Sequence, residues 1–141
     1  MKKDKLLELY NKYNLEKDDF FKHQHFTILT RQGIDKIQAI EQIYIDYEVI
    51  KCETNFAVMK ATAIKDDKKI QTFGSAYKGL TFKDGSTNSW YIAEMAEKRA
   101  MSRAVLKLTG FYAYGVFGED ESESFKKPKK EIQGNTNNIN N

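Results

Sequence analysis

"FAVMKATAIKDDKKIQTFGSAY", residues 56–77, holds two extended runs joined by a short polar break. In the first run Ala57, Met59, Ala61 and Ala63 fall on one face, and Phe56, Val58, Lys60, Thr62 and Ile64 on the other. "DDKK" at 66–69 supplies a polar hairpin turn into a second strand, 69–77. The stretch just before it, "YIDYEVIKCET" at 44–54, reads as a third strand, so the middle of the chain predicts a three-stranded antiparallel meander.

Working outward, "KGLTFKDGSTNS" at 78–89 reads as a loop turning at Asp84-Gly85. A long helix follows from about Trp90 to Thr109 and stops at Gly110, a residue suited to the position just past a helix end. Ala93, Ala96, Ala100 and Ala104 give this helix a small surface, and the alanines of strand 56–65 give the sheet another. Two small surfaces predict a close approach of helix and sheet. Upstream, Leu6, Leu7, Leu9, Tyr10 and Tyr13 recur at helical spacing over Asp4–Tyr13, with Asp4 as N-cap. "HFTILT" is extended, and Ile34, Ile37, Ile40 and Ile43 mark a second short helix. The expected fold is α+β: short N-terminal helices, a β-meander of about three strands, and a long helix laid across it.

The 141 residues suffice for one domain with its own core. Four lysines and five acids follow Gly118, so the body is slightly more basic than the formal charge of +3 for the whole chain. The expected division is a domain over 1–118 and a disordered, charged and asparagine-rich tail over 119–141, dispensable for folding. Cys52 is the single cysteine, which excludes an internal disulfide and points to a reducing cytoplasm. Its strand setting predicts a core or half-buried thiol. The basic start lacks the apolar core of a signal peptide, and no run approaches the ~18 apolar residues of a membrane span.

Support for catalysis is thin, and the expectation is a protein that is not an enzyme and needs no cofactor or metal. His23 and His25 would share a strand face, but no further ligands accompany them. Glu94 precedes Lys98 by four residues, the favourable order for a helical ion pair. Glu119, Asp120, Glu121 and Glu123 read as a solvated acidic run. There is no phosphate-cradling glycine loop and no nucleophile elbow.

Binding has more support. Arg99, Arg103 and Lys107 recur at four-residue steps and span about 80° of the long helix. Apolar residues border this stripe on both sides. Such a row can wall a groove that follows a phosphate backbone, or it can be snorkelling side chains at a helix edge. Arg31, Lys51, Lys60 and Lys78 would extend the basic surface, and Tyr77 with Phe73 would offer stacking platforms to bases.

The order of parts resembles the Rad-fifty-two-like family of single-strand annealing proteins, the phage Sak-type annealases among them. The similarity spans about residues 24–118: extended "ILTRQG", a helix, a meander whose third strand contains a glycine, a D-G loop, and an alanine-spaced basic helix ending in Gly and aromatic residues. The resemblance implies a ring- or filament-forming homo-oligomer that holds single-stranded DNA in a basic groove and pairs complementary strands without ATP. Arg31 matches an arginine of the family's hairpin region, and Lys107 matches one of a basic pair lining its groove. The pair's other position falls on Leu106 or Leu108, and the family's long N-terminal hairpin is shortened here. The expected DNA-binding residues are Arg31, Lys60, Tyr77, Lys78, Arg99, Arg103 and Lys107. The expected activity is single-stranded DNA binding and annealing in phage recombination. The alternatives are a replicative single-stranded-DNA-binding protein and a non-catalytic interaction protein with an acidic partner.

Overall fold

A computed structural model describes residues 2–79 and 91–121. In chain order the elements are α1 (Lys2–Lys12), β1 (Phe20–His23), β2 (Phe26–Leu29), α2 (Arg31–Glu41), β3 (Tyr44–Cys52), β4 (Phe56–Lys65), β5 (Lys68–Tyr77), α3 (Ile92–Leu108) and β6 (Val116–Gly118). Short 3-10 turns precede β1 at Lys17–Asp19 and follow α3 at Phe111–Tyr114. The fold is α+β, with the long helix across the sheet.

The meander forms as its alternation predicts. β4 is central and pairs antiparallel with β3 and β5, Ala61 lying opposite Tyr47 on one side and Thr72 on the other. Lys65 pairs with Lys68 across a two-residue turn in which Asp66 takes a left-handed conformation (φ 55°). Ala57, Met59, Ala61 and Ala63 are all buried beneath α3. The opposite face of the sheet carries no helix among the described residues.

The helix comes unusually near the sheet at one point. Gly74 of β5 meets the backbone of α3 directly: a Cβ at residue 74 would overlap the Ala96 carbonyl oxygen and the Ala100 nitrogen. One step along β5, the Thr72 hydroxyl donates to the Ala100 carbonyl at 2.6 Å. Ala96 and Ala100 are the side chains small enough to allow this seat, and both are fully buried. The helix ends at Thr109, followed by Gly110 at φ 92°.

The other side of α3 covers a second, smaller sheet. There β2 pairs antiparallel with β1 and parallel with β6. Met101, Val105 and Leu106 of α3 join Leu29, Ile34, Ile37, Phe111 and Val116 in one continuous core. α1 is held by Tyr10, stacked 4.7 Å from Phe20, and by buried Tyr13, which donates to Glu41 Oε2 at 2.5 Å. Glu41 also receives Lys12 at 3.3 Å and Lys65 at 3.2 Å, so one carboxylate ties α1, α2 and β4 together. Asp19 is fully buried and accepts from the Glu16 N–H (2.8 Å), Gln32 Nε2 (2.9 Å) and Lys36 Nζ (2.7 Å).

Several expectations need correction. The body does not stop at Gly118: Glu119–Glu121 form a helical turn docked on the core, and the domain runs at least to Glu121. Cys52 is exposed, because β3 is an edge strand whose last residues α3 does not cover. His23 and His25 do not share a strand face, since β1 ends at His23 and His25 sits in the turn after left-handed Gln24. β1 and β6 are strands that the sequence did not announce, each four residues or fewer. The loop over 80–89, the expected helix start at Trp90 and residues 122–141 lie outside the described residues. Among the described residues no helix is long and apolar enough to cross a membrane.

Two measurements probe these contacts. Gly74→Ala should cost about 3 kcal/mol or more, read by denaturant unfolding, because the obstructing atoms are helix backbone and cannot rotate away. The second concerns acid. Burial alone would raise the pKa of Asp19 and Glu41, but hydrogen bonds and cations outweigh it, and both carboxyls lie below their ordinary values. Their stabilisation is therefore complete above the ordinary carboxylate range and is lost as pH falls through the depressed values. Asp19→Asn should lower stability at neutral pH and flatten its decline on acidification.

Candidate nucleic-acid interface

The arginine stripe of α3 faces the free edge of β5. Arg99 is only 8% exposed; its terminal nitrogen donates to the Ser75 carbonyl at 3.0 Å and its Nε to the Asp120 carbonyl at 3.0 Å. One turn later Arg103 donates to the Phe73 carbonyl at 3.1 Å and to Glu121 Oε2 at 3.0 Å. The match is metric. Four residues of helix advance about 6 Å, and two residues of strand advance about 6.6 Å. Successive arginines thus meet successive outward-facing carbonyls. These side chains cap an edge strand whose backbone acceptors would otherwise lack partners.

The acidic run completes the arrangement. Glu119 Oε1 accepts the backbone N–H of Arg31, in the first turn of α2, at 2.6 Å. Asp120 Oδ2 accepts from the Ser102 hydroxyl at 3.0 Å and lies 4.0 Å from the Arg31 guanidinium. Glu121 is buried at 4% exposure against Arg103. Burial would lower the Arg103 pKa, but Glu121 outweighs it and keeps the guanidinium firmly charged. Glu119, Asp120 and Glu121 of the expected solvated run thus form a structural clasp, and Glu123 lies outside the described residues.

The seven expected binding residues are spread over several parts of the fold. Arg99 and Arg103 line a groove of about 440 Å³ with Phe56, Val58, Phe73 and Glu121, but they also hold the chain's own carbonyls and acids. Lys107 is exposed at the end of the stripe, its Nζ 5.3 Å from the Tyr112 ring centroid. Arg31, at the start of α2, adjoins the clasp, its Nε 3.2 Å from Asp35 and its terminal nitrogen 4.0 Å from Asp120. Lys60 and Tyr77 sit on the open face of the meander. Lys78 follows the end of β5, its N–H donating to the Asn55 carbonyl at 2.7 Å.

That open face has a simple plan. Phe73 (51% exposed) and Tyr77 (43%) project from the same side of β5, and on β4 Lys60 lies opposite Phe73 and Phe56 opposite Tyr77. Lys60 is 4.0 Å from Glu48 of β3. The contributions of Phe56 and Val58 follow from the alternation of β4. Glu121 could not have been singled out, because its role depends on β6 bringing the chain back beside α3. Among the described residues no cluster of three or more His, Cys, Asp or Glu forms a metal site. Comparison with known proteins finds no matching family model, curated protein or solved structure.

Shortening the chain separates clasp from tail. A protein ending at Gly118 leaves Arg103 without its carboxylate and should lose about 2 kcal/mol or more relative to one ending at Glu121. Thermal and denaturant melts of the two shortened proteins side by side provide the comparison.

Proposed function

We propose that this protein binds single-stranded DNA across the open face of the meander and brings complementary strands together without ATP. The observation that supports binding is the exposed pair Phe73 and Tyr77 beside Lys60. Four residues of strand set the two rings about 13 Å apart, so bases two nucleotides apart on an extended strand can stack on them. Lys60 opposite Phe73 and Lys78 just past Tyr77 supply cations for the phosphates. Lys107 supplies another at the end of the arginine row. Annealing, as distinct from binding, rests on the family resemblance, as does a place in phage recombination; a cytoplasmic setting rests on the single cysteine. Arg99 and Arg103 serve this reading by holding β5 in place and shaping the groove beside Phe73.

The test uses fluorescent oligonucleotides. Phe73→Ala and Tyr77→Ala should each weaken single-strand binding by about 1–3 kcal/mol while leaving the melt almost unchanged, since neither ring is buried. Lys60→Ala should reduce the slope of log affinity against log salt by about 0.7. Unaltered affinity in both aromatic variants would remove the open face as the binding surface.

A further inference from the structure

The two edges of the meander are not equivalent. The outer edge of β5 is capped, with the Phe73 and Ser75 carbonyls taken by Arg103 and Arg99. β3, the opposite terminal strand, pairs with no further strand among the described residues. It is nine residues long and exposed over nearly its whole length. Tyr44 (63%), Val49 (57%), Ile50 (47%) and Tyr47 (38%) are all open to solvent. A long edge with unpaired backbone groups and exposed apolar side chains is a template for another strand. Head-to-tail addition of β3 to β5 of a second copy would meet the arginine cap. Pairing of β3 with β3 meets none.

The sequence of β3 is self-complementary in one antiparallel register. In its pairing with β4, Val49 lies opposite Met59 and Lys51 opposite Val58, so Ile50 is an extra, bulged residue. Side chains 46, 48 and 51 therefore point to the open face, and 45, 47, 49 and 52 to the helix side. Placing a two-fold axis at Glu48, with Ile50 bulged in both strands, matches the faces at every step. Tyr47 then meets the partner's Val49, and Ile45 the partner's Cys52. On the open face Asp46 meets the partner's Lys51, and Lys51 the partner's Asp46. The two copies of Glu48 meet at the axis, each with its own Lys60 at 4.0 Å.

We propose that β3 is a homodimerisation edge, joining two chains into a continuous six-stranded antiparallel sheet about a two-fold axis at Glu48. The contact is isologous and closes on itself. The two open faces then adjoin, and the Phe73–Tyr77 platforms stand at the outer strands of one surface.

Sedimentation velocity of the full chain without nucleic acid, over a range of concentrations, tests this independently of the binding proposal. A reversible species of twice the 16.4 kDa chain mass is expected. Asp46→Lys sets lysine against lysine at two symmetric places and should raise the dissociation constant roughly tenfold or more. Adding Lys51→Asp restores opposite charges and should restore the dimer. Val49→Lys, at a site already exposed in the monomer, should also weaken it without disturbing the circular dichroism. A monomer at every concentration, a larger closed ring, or a double swap that fails to restore association would overturn the proposal.

Discussion

Helix α3 rests its backbone on the α-carbon of Gly74, and the placement of both sheets depends on that seat. Contact of this kind tolerates no side chain at residue 74 and only alanines at residues 96 and 100. In return, the axis of the helix lies close enough to β5 for Arg99, at the seat itself, and Arg103, one turn along, to reach the strand's edge carbonyls. Larger residues of α3, Met101, Val105 and Leu106, point instead into the space shared with α2 and the small sheet. The helix is thus the common wall of two unlike interfaces. One is close and formed by small residues; the other is filled by branched and aromatic side chains.

Three charged side chains, Asp19, Arg99 and Glu121, are buried among the described residues, and Glu41 is nearly so. Asp19, Glu41 and Arg99 each sit at a junction between segments and meet several donors or acceptors there, and Glu121 is buried against Arg103. A buried charge is tolerated only with such company, because desolvation is costly and a single partner does not offset it. The consequence is orientation. Asp19 holds the turn before β1 against α2, Glu41 holds α1 to the end of β4, and Glu119–Glu121 hold the chain beyond β6 against α2 and α3. Lys60, on the open face, and exposed Lys107, at the end of the arginine row, lie outside these junctions.

The two faces of the meander answer different demands. Alanines and a glycine line the covered face because a helix backbone must reach it. On the open face aromatic rings alternate with lysine, threonine and serine, a mixture that neither buries itself nor gathers into one large apolar patch. Phe73 and Tyr77 are separated by Ser75, with Val58 opposite it, and Lys60 lies across from Phe73. The proposed function rests on this composition of the open face more than on the arginine row, and the family resemblance extends it toward annealing.

Local patterns were legible in the sequence wherever a period or a turn signal was strong. The two-residue alternation of 56–65 places β4 with both faces correctly assigned, the Asp66 turn sets its register with β5, and Gly110 ends α3. The alanine spacing announced a close helix–sheet contact, though not that Gly74 would be its centre. β1 and β6 went unread because three or four residues carry too little periodicity, and a parallel pair such as β2–β6 joins segments nearly ninety residues apart in the chain. The same distance hid the roles of the charges. A stripe of arginines looks alike whether it faces phosphate or a strand's own carbonyls, and an acidic run looks alike whether it is solvated or clasped. Helical phase alone determined that Arg99 and Arg103 lie on one side of α3. What they face was decided by tertiary structure, because β5 and the chain after β6 arrive there from elsewhere in the sequence.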